Sequence, residues 1–151
     1  MKSRKAYSLI ELIIVVAIIA AIALVAVPRL QYAAVHRQKA QTVAHKIVTD
    51  LRRTRSLAIL HAADNTDGFA LNMVGSAPYD SYRIVNLDDS SVVDSHTIDS
   101  PISCTGGDQF EFGPLGNLKD GSDTQLVVSA QGKICTITVT AATGMIKCAE
   151  N

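Results

Sequence analysis

The sequence lacks a second hydrophobic run. Among its 151 residues there is one long apolar stretch, and the remainder is too polar to cross a bilayer again, which excludes a multi-span membrane protein. Cysteine is scarce. The three residues Cys104, Cys135 and Cys148 allow a single disulfide, formed in one of three ways, with one thiol left over. Because Cys135 and Cys148 bracket an apparent hairpin, they are the expected pair, with Cys104 the alternative partner. No histidine lies at metal-ligand spacing from a cysteine, so His36, His45, His61 and His96 read as solvated surface and no metal is expected. Ser103 and Ser129 lack a nucleophile-elbow context, which argues against an enzyme. The acidic turns Asp64-Asn65-Thr66-Asp67-Gly68 and Asp120-Gly121-Ser122-Asp123 lack the alternating oxygen ligands and closing glutamate of a calcium loop. No cofactor is expected. Residues 29–62 contain neither glycine nor proline, so nothing there interrupts a helix.

The apolar run itself carries an anomaly. After Lys2, Arg4 and Lys5 come Ala6-Tyr7-Ser8-Leu9-Ile10-Glu11, then sixteen apolar residues from Leu12 to Val27. Tyr7 to Val27 is long enough to cross a bilayer core as a helix. A carboxylate within such a span costs at least about 2.5–3.5 kcal/mol. A plain anchor gains nothing from that cost, so Glu11 must serve some other purpose. The cations before the run place the N-terminus in the cytoplasm and the chain beyond residue 28 outside it. The formal net charge of zero hides an asymmetry. Residues 29–62 hold seven cations against Asp50 alone, and residues 63–151 hold four against twelve Asp and Glu, a net charge of −8.

A secretory signal peptide fits poorly, because the apolar core is too long and Pro28 follows directly on Ala26-Val27. The segment Ala6 to Glu11 instead resembles the prepilin cleavage and methylation motif of type IV pilins and type II secretion pseudopilins. Ala6, Tyr7 and Ser8 stand where that motif usually has glycine, phenylalanine and threonine. The resemblance implies cleavage between Ala6 and Tyr7, N-methylation of Tyr7, an assembly role for Glu11 and a helix kink at Pro28. It divides the chain into a leader (1–6), a transmembrane or filament-core helix (7–28), an amphipathic continuation (29–62) and a globular head (63–151). It also gives Glu11 a partner: cleavage creates a cationic amine at Tyr7, which Glu11 could meet within its own helix or, in a filament, on a neighbouring subunit.

Beyond Pro28, Leu30, Ala33, Ala40, Ala44, Ile47, Leu51 and Ala58 recur at helical spacing, predicting a helix that reaches about His61. Strand signals follow at 69–74, 82–86, 91–98, 109–112, 125–130, 134–140 and 145–148, the last three as an antiparallel meander. Residues 75–81, 99–108 and 113–124 read as loops. The expected fold class is α+β, a long N-terminal helix packed on an antiparallel β-rich head.

Three head segments narrow the resemblance. Leu51 to Ile59, Phe110 to Gly116, and Ile137-Thr138-Val139 with Thr143-Gly144-Met145-Ile146 are similar to segments of the GspH/FimT type of minor pilin. Thr54 replaces an alanine there, and Met145 an arginine. The resemblance implies a minor pilin or pseudopilin in the bacterial inner membrane, single-pass with its head in the periplasm, and later in a pilus or pseudopilus. Its implied partners are other pilin or pseudopilin subunits, the prepilin peptidase/methyltransferase, an inner-membrane assembly platform and membrane lipid. A second reading is a competence-type pilin that binds DNA, against which the acidic head argues.

Overall fold

A computed structural model describes residues 9–151, without the side chains of 25–33. It divides into two compact units, Met1–Val35 and His36–Asn151. One helix, α1 (Leu9–Leu60), belongs to both. The predicted cut between Ala6 and Tyr7 lies outside the described residues. Pro28 falls within α1, but its side chain is among those not described.

In the first unit the described side chains, 9–24, are exposed on every face of the helix. Its large apolar residues range from Val15 at 48% to Leu24 at 78% exposed. Among the described residues no helix is long and apolar enough to cross a membrane.

The second unit has its own core. Eight strands follow α1: β1 (Phe69–Val74), β2 (Ser81–Asn86), β3 (Val92–Thr97), β4 (Ser103–Gly106), β5 (Gln109–Phe112), β6 (Gln125–Ala130), β7 (Lys133–Thr140) and β8 (Met145–Glu150). They form two four-stranded antiparallel sheets, ordered β3-β2-β1-β5 and β4-β6-β7-β8. The meander β6-β7-β8 is as expected. Strand β4 is a correction, since 99–108 read as a loop. Four residues of Ser-Cys-Thr-Gly carry no alternation to detect, and pairing with β6 supplies the ladder.

From Ala40 on, the stripe read from the sequence is the buried face of α1; the side chains of Leu30 and Ala33 lie outside the described residues. Ala40, Ala44, Ile47, Leu51 and Ala58 are fully buried. They join one hydrophobic cluster with Leu71, Tyr82, Phe110 and Phe112 of one sheet and Leu126, Val128, Ile137 and Val139 of the other. Thr54 sits on the same face, fully buried, its hydroxyl donating to the Asp50 carbonyl at 2.7 Å. The polar group is thereby satisfied inside the core.

The three cysteines are free thiols. Cys135 lies opposite Glu150 and Cys148 opposite Ile137, so the expected pair sits diagonally across β7 and β8. Their side chains nevertheless lie in hydrogen-bond contact with each other. Burial raises all three thiols above their ordinary range, with Cys104 pushed up to about 12.

Candidate functional site

Glu11 stands in the first turn of α1, the only charged residue among the exposed apolar side chains of 9–24. Among the described residues its carboxylate has neither a hydrogen bond nor an ion pair. Sixteen consecutive exposed positions, apolar but for Glu11, are untenable in water and require lipid or other helices around them. A lone carboxylate in that setting needs a partner for the same reason.

In the second unit, polar contacts hold the two flanks of α1 to the two sheets. On one flank are Lys46, Asp50 and Arg53, at helical spacings of four and three. Asp50 is 7% exposed and accepts the Tyr82 hydroxyl at 2.6 Å, with His96 Nε2 at 3.6 Å. Burial, aided by the Asp50 hydrogen bond, pushes the Tyr82 phenol far above its ordinary range, so it remains a donor. Lys46 Nζ lies 3.1 Å from His96 Nδ1. Lysine can only donate, which makes Nδ1 the acceptor and leaves the ring proton on Nε2, facing Asp50 and Asp94. Arg53 pairs with Asp94 at 2.6 Å. On the other flank, Gln41 donates to Glu150 at 2.8 Å, with His45 at 3.4 Å and Lys133 at 3.2 Å from the same carboxylate.

Two histidines therefore differ from the solvated reading. His36 is buried because it falls one turn before Ala40 on the core stripe. His96 is half-buried because β3 runs beside α1, and its ring lies 5.3 Å from that of Tyr82, tilted by 56°. His45 and His61 are exposed as expected. The acidic turns are occupied with internal contacts. The Asn65 side chain both accepts from Gly68 N–H at 2.6 Å and donates to its carbonyl at 2.9 Å, while Asp123 receives the backbone of Asp108 at 2.8 Å. Among the described residues no three acidic, histidine or cysteine side chains gather as metal ligands.

The ion pairs give the head an acid-sensitive element. The Arg53 hydrogen bond holds the Asp94 carboxyl below its ordinary range, and the Lys133 hydrogen bond does the same for Glu150. Groups depressed on folding contribute stability that is present above their unfolded values near pH 4 and is lost as pH falls through the lower folded values. The head's melting temperature is therefore expected to drop on acidification below about pH 4. Asp94→Asn combined with Glu150→Gln flattens that acid limb in thermal melts; an unchanged limb defeats the assignment.

The three head segments singled out in the sequence meet at one place. Arg55 Nε donates to the Gly116 carbonyl at 2.9 Å. Gly144 closes the β7–β8 turn with φ +62, and a Cβ there would lie 1.9 Å from the Gly116 oxygen and 2.9 Å from Arg55 Nε. Only glycine fits. Beside this junction is a groove of about 740 Å³, lined by Arg52, Arg55 and Ser56 of α1 and by residues 143–147 of the β7–β8 turn and β8. Sequence reasoning did not assemble this groove, because Lys147 lies over ninety positions from Arg52 and Arg55. Gly144→Ala is expected to cost on the order of 2 kcal/mol, from backbone strain and displacement of the Arg55 contact. A urea midpoint equal to the parent's would contradict that geometry.

The comparisons with known proteins bear on the N-terminus. The prokaryotic N-terminal methylation motif matches residues 1–27. The chain carries a pilin-type N-terminus. That motif indicates a pilin-type subunit, processed by prepilin peptidase and assembled with other pilin subunits. It is consistent with membrane anchoring followed by filament assembly. No curated protein and no solved structure matches the chain.

Proposed function

We propose that this chain is a minor pilin or pseudopilin of the GspH/FimT type, a non-catalytic structural subunit. Prepilin peptidase removes residues 1–6 and methylates Tyr7. The helix then holds the subunit in the bacterial inner membrane, head outward, until an assembly platform delivers it to a type IV pilus or type II secretion pseudopilus. The observation that carries this reading is an exposed apolar helix with a single carboxylate near its start, within the matched motif. The convergence of Arg55, Gly116 and Gly144 supports the subtype, because three separate resembling segments then serve one junction. The N-terminal mass of the membrane-extracted chain is the test. A chain starting at methylated Tyr7 is expected; an intact Met1 makes it a plain anchor.

A second reading, DNA capture, draws on one observation: Arg52, Arg55 and Lys147 line the same groove. A gel shift with the purified chain that shows no salt-sensitive binding ends it.

A further inference from the structure

We propose that the groove beside β8 receives the acidic β2–β3 edge of a second copy of this chain, so that heads associate flank to flank. The groove joins Arg52 and Arg55 of the basic helix to Lys147 of a head whose residues 63–151 carry a net charge of −8. Two of its cations are uncommitted: among the described residues neither Arg52 nor Lys147 has an ion pair or side-chain hydrogen bond, and both are exposed. Beside them Met145, 48% exposed, provides an apolar surface. The groove thus offers positive charge next to a greasy patch.

The matching surface lies on the same chain. The turn between β2 and β3 exposes Asp88 and Asp89, and the start of β3 exposes Val92 and Val93. Neither aspartate has a salt bridge among the described residues. Strands β3 and β8 are both terminal among the described residues, each paired with another strand on one side only.

Helix geometry places these surfaces apart. At about 100° per residue, Lys46, Asp50 and Arg53 lie on one side of the buried stripe, and Gln41, His45, Arg52 and Ser56 on the other. The contacts agree, since the first set reaches β2 and β3 while Gln41 and His45 reach β8. One copy can therefore present its acidic edge to a second while its own groove stays open for a third. Such a heterologous contact does not close on itself, so it leaves the groove of one copy and the acidic edge of the other free for further subunits. A nucleic acid fits less well. A phosphate backbone would cross the surrounding acidic surface and gain nothing from Met145, Val92 or Val93. That the partner is a parallel copy rests on the filament reading above; the charge complementarity does not.

The test uses the full chain extracted in detergent, with self-association followed by analytical ultracentrifugation at low and high salt. R52E/K147E is expected to weaken association about tenfold, and D88K/D89K likewise, because each sets like charges together. The combined variant R52E/K147E/D88K/D89K restores complementarity and recovers association. Raising the salt weakens the parent and the combined variant alike. Association indifferent to either reversal, or no recovery in the combined variant, overturns the proposal. So does a result in which R52E/K147E leaves association intact and abolishes salt-sensitive DNA binding. The N-terminal mass separates this from the filament reading. Intact Met1 with charge-dependent association defeats that reading alone, whereas methylated Tyr7 with charge-indifferent association defeats only the head contact.

Discussion

Replacing Glu11 with leucine leaves the chain in the membrane and removes it from the filament. Insertion becomes easier, because the substitution deletes a charge from an apolar run; such a charge costs about 2.5–3.5 kcal/mol at the centre of a span and less near its start, where Glu11 stands. Assembly becomes harder for a different reason. In the proposed subunit, cleavage leaves a charged amine on Tyr7, and packing parallel helices takes that amine out of water. Glu11 on a neighbouring helix is the compensating charge. Removing one member of a buried pair costs about 3–5 kcal/mol, which lowers incorporation by two orders of magnitude or more. The measurement is the amount of variant in the membrane fraction against the amount in sheared filaments. Normal incorporation of Glu11→Leu would refute this role for the carboxylate.

Tyr82→Ala strongly destabilises the head. Tyr82 is 1% exposed, its ring rests on His96, and its hydroxyl holds Asp50 on α1. Truncating a buried aromatic to alanine costs about 3–5 kcal/mol. The substitution also strips Asp50 of its closest donor. Against a total stability of about 5–15 kcal/mol, that loss is a large share. Tyr82→Phe separates the two contributions: the ring stays, the hydrogen bond goes, and about 1–3 kcal/mol is expected. Urea midpoints of the detergent-solubilised parent and both variants give the comparison. A neutral Tyr82→Phe would mean that the Asp50 bond contributes nothing to holding β2 against the helix.

These two residues show how differently parts of this protein read in sequence. Glu11 was legible at once, since a charge in an apolar run is anomalous whatever surrounds it. The buried stripe of α1 was equally legible, because a helix repeats every 3.6 residues and Ala40, Ala44, Ile47 and Leu51 follow that period. Strands β1, β5 and β6 read to the residue, because alternation or a compact apolar run marks them. Strand β4 did not, since Ser103-Cys104-Thr105-Gly106 is too short to show alternation. Tyr82 read only as part of a strand. Its importance comes from Asp50, thirty-two positions away, and no local pattern joins them.

By itself the sequence determined the kind of N-terminus, the amphipathic helix and the α+β class. Each of these is written in short-range order: a motif of six residues, a helical period, an alternation. Tertiary structure alone decided which strands share a sheet, which face of α1 each sheet takes, and that His36 and His96 are withdrawn from solvent. It alone brought Arg52, Arg55 and Lys147 to one groove and set Asp88 and Asp89 on the opposite flank. The physical reason is that side chains far apart in sequence meet only after the core closes, and no local propensity records that meeting.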